Sequence, residues 1–195
     1  QFKEQNLVFL IENNCSNLDP RIATGSIDIK IGHLIFGSVA EFDDNLKIVP
    51  SIADKIDTPD PETYIIYLKN NVKFHNGIPL TAEDVKYTYN SVLDPAVASP
   101  HKALFEKIKD IEINDKYKLT IKLKEPFSPF LLSLTFGIIP KEVGEKTGKD
   151  FSKTPIGSGP FKYLETTEEG NVILAKNDDY YGQKAKLDKI TFKYV

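Results

Sequence analysis

The hydrophobic positions of this chain change period from one stretch to the next, and the changes outline its elements. Leu7-Val8-Phe9-Leu10-Ile11 is an unbroken apolar run with β-branched and aromatic members, the pattern of a buried strand. Leu18-Asp19-Pro20 stops it. Ile27, Ile31, Leu34 and Ile35 then recur at helical spacing and predict a helix from about Ile27 to Phe36. Ser26 stands where an N-cap belongs, Asp28 suits the positive helix end, and Gly37 is placed as the stop.

A second strand is expected within Glu62–Val72, centred on Tyr64-Ile65-Ile66-Tyr67-Leu68. Beyond it, Asn76-Gly77 signals a tight turn. Thr81-Ala82-Glu83-Asp84 has the form of a capping box, with Asp84 where Glu or Gln is usual. The helix it opens sets Val85, Tyr89, Val92 and Leu93 on one face and ends before Pro95. Ile108–Ile113 and Leu119–Leu123 alternate apolar and polar residues around Asn114-Asp115-Lys116, which predicts a hairpin. Pro126–Phe136 reads as a short buried helix, and Pro140–Gly144 opens another. Phe161–Leu164, Val172–Ala175 and Ile190–Val195 are the remaining strands. Strands interspersed with helices point to an α/β or α+β fold rather than a bundle. The last strand stays half apolar up to Val195, as expected of a strand held inside a sheet and of a piece of something longer.

Composition narrows the function classes. Hydrophobic residues at 41% and charged residues at 27% build a core rather than a disordered chain. The 25 basic and 28 acidic residues balance to −3, too even for a nucleic-acid surface. No apolar run approaches the roughly 18 residues of a membrane span, and Gln1-Phe2-Lys3-Glu4-Gln5-Asn6 lacks the apolar stretch of a signal peptide. Cys15 is the only cysteine, so no internal disulfide or zinc ribbon is possible. With Glu12-Asn13-Asn14 before it, Cys15 is a poor lipidation site and reads as an inert small residue.

The residue types that carry chemistry do not assemble into a motif. His33, His75 and His101 form no H-x-x-x-H or H-E-x-x-H pattern and read as structural, so no metal or other cofactor is expected. Gly157-Ser158-Gly159-Pro160 is neither a nucleophile elbow, which needs G-x-S-x-G, nor a dinucleotide fingerprint, whose third glycine would fall at Lys162. It reads as a tight crossover between subdomains. Asp43-Asp44 and Asp178-Asp179 read as solvated loop charges. No enzyme is expected.

Several segments together resemble the solute-binding proteins of oligopeptide and dipeptide ABC transporters. The Leu7–Ile11 strand with Leu18-Asp19-Pro20 is similar to the family's first strand and loop, and Ile48–Ala53 to its "P-x-L-A" segment. Val72–Val85, with Phe74-His75-Asn76-Gly77 and Thr81-Ala82-Glu83-Asp84-Val85, reads like "F-H-D-G-x-P-x-T-A-x-D-V". Pro155–Phe161 resembles "G-T/S-G-P", and Asp179-Tyr180-Tyr181-Gly182 with Leu187–Ile190 resembles the end of the first lobe. Asn76 stands where Asp is common, and Tyr181 where Trp is common.

The resemblance implies a periplasmic-binding-protein type II lobe, a mixed β-sheet with flanking helices plus an inserted α+β subdomain. It places the main lobe at 1–36 and 155–195 and the insertion at 37–154, with a second lobe outside this chain. It further implies capture of oligopeptides or dipeptides at the periplasmic or cell-surface side, a membrane permease as partner, a monomer, and a lipid anchor, if any, outside these residues. Cleft candidates by the same resemblance are Ala23, Thr24, Gly25 and Ser26, where Ser26 either lines the cleft or only caps its helix. His101 within Ser99-Pro100-His101, and Thr135, Phe136 and Gly137, are the others. A nickel chelate, haem or an oligosaccharide on the same fold, a hydrolase on an α/β scaffold, and an adaptor meeting a membrane partner are the alternative readings.

Overall fold

The computed structural model describes residues 4–195, so the first three residues of the expected main lobe lie outside the described residues. The chain runs through β1 (Asn6–Ile11), α1 (Ser26–Ile35), β2 (Ala40–Phe42), β3 (Ile48–Pro50), β4 (Ala53–Asp60) and β5 (Thr63–Leu68). It continues with α2 (Ala82–Leu93), β6 (Ile108–Asp115), β7 (Lys118–Leu123), α3 (Phe130–Ser133) and α4 (Lys141–Thr147). It closes with β8 (Phe161–Thr166), β9 (Val172–Lys176) and β10 (Lys189–Tyr194).

Two four-stranded sheets each build a core. The first has the order β1-β10-β9-β8, with β1 parallel to β10 and the other pairs antiparallel, so it is mixed. Phe161, Val172, Leu174, Ile190 and Phe192 from this sheet pack with Ile31, Ile35 and Phe36, and with Leu18, Ile139 and Phe151. The second sheet, β4-β5-β7-β6, is antiparallel throughout. Its β5 and β7 strands alternate buried and half-buried positions, and Tyr64, Ile66, Leu68, Leu119, Ile121 and Leu123 face Val85, Tyr89 and Val92 of α2. Each such fully buried side chain contributes roughly 1.5–3 kcal/mol of apolar transfer.

The expected turn and caps form as the residue types require. Gly77 has φ of +84°, a conformation open to glycine, and its N–H donates to Phe74 O at 2.8 Å. The capping box at Thr81 is present, with the Asp84 carboxylate accepting from the Thr81 N–H at 2.8 Å. Its other oxygen accepts from the Lys141 N–H at 2.9 Å, so one carboxylate ties the starts of α2 and α4 together.

Four expectations need correction. The Leu7–Ile11 run is a strand, but it lies at the sheet edge; Val8 is 55% and Leu10 68% exposed, and only Ile11 is buried. Ser26 is not the N-cap of α1: Gly25 holds that position, and no side chain caps it. Asp28 instead reaches back, accepting from the N–H and hydroxyl of Ser16 at 2.9 and 2.7 Å and from the Asn17 N–H at 3.2 Å. Gly37 does not stop the helix, which ends at Ile35 as the chain turns extended at Phe36. The Pro126–Phe136 helix shrinks to one turn, α3, where Leu132 is 46% exposed.

Gly157 and Gly159 cross the end of α1 at a distance only glycine allows. A Cβ on Gly157 would lie 2.2 Å from Ile35 O, and the Gly159 N–H donates to that same oxygen at 2.8 Å. His75 braces the crossing from the other side. The Gly157 N–H donates to its Nδ1 at 3.3 Å, and its Nε2 donates to Gly159 O at 3.0 Å. Burial pushes this imidazole down to about 4, which keeps it neutral.

Candidate functional site

The loop after β1 is held by charge as well as by the burial of Leu18 in the core. Asp19 and Arg21 form an ion pair at 2.7 Å with both side chains only 3% exposed. Arg21 also donates to Gly148 O at 3.2 Å and lies over the Phe151 ring at 5.7 Å. The carbonyls that follow are held from the insertion: Ser99 Oγ donates to Arg21 O, and His101 Nε2 bonds Ala23 O at 2.7 Å. A carbonyl accepts only, so the His101 tautomer here carries its proton on Nε2.

This fixed loop, one side of α1 and two segments of the insertion enclose a cavity of about 300 Å³. Leu18, Pro20 and Ala23 come from the loop, and Asp28, Ile29, Gly32, His33 and Phe36 from α1 and its end. His101 and Leu104 form a third side, and Leu132, Thr135, Phe136 and Gly137 the fourth. Phe136 is set by two edge contacts, to His101 at 5.9 Å and to Phe105 at 5.3 Å between ring centroids. Gly137 joins the bridge to Ser38, where a Cβ would meet Phe36 at 2.7 Å.

Of the candidates named from sequence, Ala23, His101, Thr135, Phe136 and Gly137 meet around this cavity. Thr24, Gly25 and Ser26 do not line it; the two hydroxyl residues are exposed beside it, and Gly25 starts the helix. Sequence reasoning missed Leu18, Pro20, Ile29, Gly32, Phe36, Leu104 and Leu132. Ile29 and Leu132 left a signal, being large apolar residues that stay exposed at 41% and 46%. Ile29 sits off the Ile27–Ile31–Leu34–Ile35 stripe of α1.

A second hollow, of about 330 Å³, is polar and built by Glu41, Ser51, Lys69, Tyr180 and Tyr181. Its groups bond one another: Ser51 Oγ donates to Glu41 at 3.0 Å and meets the Tyr181 hydroxyl at 2.8 Å. Cys15 is pushed up to about 12, first by burial and then by the hydrogen bond and charge of Asp28, so its thiol stays protonated. Ser158 is fully buried, and its Oγ has no partner among the described residues. Among those residues, no three His, Cys, Asp or Glu side chains converge as metal ligands, and no helix is long and apolar enough to cross a membrane.

The family described as "Bacterial extracellular solute-binding proteins, family 5 Middle" matches residues 47–195, more than half of the chain. The chain belongs to this solute-binding family. The oligopeptide-binding protein AppA of Bacillus subtilis (strain 168) is 30% identical over 183 residues, covering 89% of this chain and 34% of AppA. The structure of AppA in complex with a nonapeptide superposes with a TM-score of 0.90 at 28% identity, over 98% of this chain and 40% of AppA. NikZ from Campylobacter jejuni in complex with Ni(L-His) gives 0.91 at 27% identity, over 100% of this chain and 40% of NikZ. This family 5 chain therefore spans well under half the length of these relatives. Its mixed sheet, flanking helices and α+β insertion are the fold of a type II periplasmic-binding-protein lobe.

Of the residues that carried the sequence resemblance, Leu18 and Pro20 line the cavity, while the later motifs hold the family 5 fold. His75 braces the Gly157–Gly159 crossing, Gly77 turns the chain, and Asp84 ties two helix starts.

Proposed function

We propose that this chain is part of the substrate-binding component of an ABC importer that captures oligopeptides or dipeptides outside the cytoplasmic membrane. The observation that carries the reading is the fixed, open cavity between the β1–α1 loop and the insertion, in a fold shared with peptide-bound AppA. In this reading the protein works at the periplasmic or cell-surface side with a membrane permease as partner. A lipid anchor, where one exists, belongs to residues other than these.

The main lobe comprises 1–36 and 155–195 with 37–154 inserted, and a second lobe from beyond this chain closes over the solute by hinge motion. Two separate cores support a two-part division, one drawing on Val39 to Ile138 and the other on Ile11 to Phe36 and Phe161 to Phe192, although Ile139 and Phe151, within 37–154, pack in the second of them. The exposed apolar edge of β1 supports a further covering element. In this reading the role is capture rather than catalysis, in keeping with the solute-binding family to which the chain belongs.

Charge-assisted bonds to a peptide's termini contribute roughly 1.5–3 kcal/mol each, and this reading assigns them to the second lobe. Calorimetry of the chain with a peptide library should show nothing tighter than about millimolar; micromolar binding would sink the two-lobe clamp. Deleting the gene should lower uptake of labelled peptides by the cell, and unchanged uptake would overturn the transport reading.

A further inference from the structure

We infer that the cavity is a socket for one uncharged apolar group, aliphatic or aromatic, and that Gly32 sets its depth. The inference rests on the solute-binding reading above and deepens it.

Three of the polar side chains in the wall, Asp28, His101 and Thr135, are already committed within the protein. Both Asp28 oxygens accept hydrogen bonds from Ser16 and Asn17. His101 is bonded to Ala23 O, and Thr135 Oγ1 donates to Leu132 O at 2.8 Å. His33 stands at the exposed rim. What faces the space is carbon: Ile29, Phe36, Leu132 and Phe136 above all. A charged group placed there would lose its water without gaining a partner, whereas an apolar group gains by leaving water.

Gly32 is the residue that helix packing leaves unexplained. It is the seventh residue of α1, inside the helix, where glycine is unfavourable relative to alanine. Its φ is not positive, and an added Cβ would meet only the Phe36 ring, at an ordinary 3.8 Å. Gly137 in the same wall is different, since a Cβ there would collide with Phe36 at 2.7 Å. Local structure therefore demands glycine at 137 and not at 32. Empty space on the cavity side is what glycine at 32 provides.

The test separates depth from fold. N-acetyl methylamides of phenylalanine, leucine, lysine and aspartate are titrated into the isotope-labelled chain and followed by amide chemical shifts. The phenylalanine and leucine amides should shift residues around Gly32 and Phe136 at concentrations at least tenfold below those needed for the charged amides. Gly32→Ala should raise the thermal midpoint while weakening these shifts, and Gly32→Leu should remove them. Equal response to charged and apolar amides would overturn the inference, and so would a lowered midpoint in Gly32→Ala, which would make the glycine structural. Apolar discrimination without peptide uptake would leave the socket standing and sink the transport reading; uptake without discrimination would do the reverse.

Discussion

His75 shows how a single side chain turns a local contact into a dependence on pH. In the unfolded chain its imidazole gains a proton near 6.5, but between the carbonyl of Gly159 and the N–H of Gly157 it holds out to about 4. Above pH 6.5 both states are neutral and the residue adds no pH dependence. As pH falls from 6.5 towards 4 only the unfolded chain gains the proton, so stability drops by at most about 3 kcal/mol. Urea unfolding across that window should show the loss, and His75→Gln should flatten it relative to the parent. Arg21 supplies the opposite case, a charge kept in the interior by a partner. Arg21→Ala strands the buried Asp19 carboxylate and should cost about 3–5 kcal/mol. Removing both side chains together should cost less than Arg21→Ala alone. Little of this was legible beforehand: His75 read as structural but without partners, Leu18-Asp19-Pro20 read as a strand stop, and Arg21 carried no reading. Gly159, the partner of His75, and Gly148, the second partner of Arg21, are more than eighty positions away, and although Asp19 is only two residues from Arg21, nothing local shows that the pair is buried.

Elements followed the sequence where one face is apolar and the ends carry their own signals. The α2 helix and the β6–β7 hairpin formed where spacing placed them, because Val85, Tyr89 and Val92 recur at helical period and β7 alternates, although β6 carries two register shifts that set its buried Ile108 and Ile111 three residues apart. The β4 strand gave no such warning. It carries Asp54, Asp57, Pro59 and Asp60, buries only Ala53, and owes its existence to pairing with β5. The β1 strand shows the reverse error, since an apolar run reports that a strand is suited to cover on both faces and not that the cover is present. In the same way five of the eight cleft candidates converged, while the apolar wall from Ile29, Gly32 and Leu132 depended on how α1 and α3 face each other. Asp84 is the element-scale contact most open to test. Asp84→Ala removes acceptors from Thr81 and Lys141 at once and should cost about 2 kcal/mol, measured by thermal or urea unfolding. A loss below a few tenths would mean that water replaces the carboxylate.

At the scale of the whole molecule, stability should be distributed unevenly between centre and edge. The central β5 and β7 strands are paired on both sides and should show the slowest amide exchange. The β1 strand is paired only with β10, so the amides of Asn6–Ile11 that point away from β10 should exchange fast. Uniform protection along β1 would mean that another chain segment or another copy lies against it.

The parallel pairing of β1 with β10 also orders events in time. Gln5, just before β1, donates to the Asp188 carboxylate, 183 positions away, and β1 itself is in register with 189–194. The β4–β7 sheet closes through contacts among residues 53–123 alone. Short loops close faster than long ones, and segments made first fold first. As the chain folds, therefore, the second sheet should be finished while β1, greasy on both sides, still waits for its mate, which makes Leu7–Leu10 the natural handhold for a chaperone.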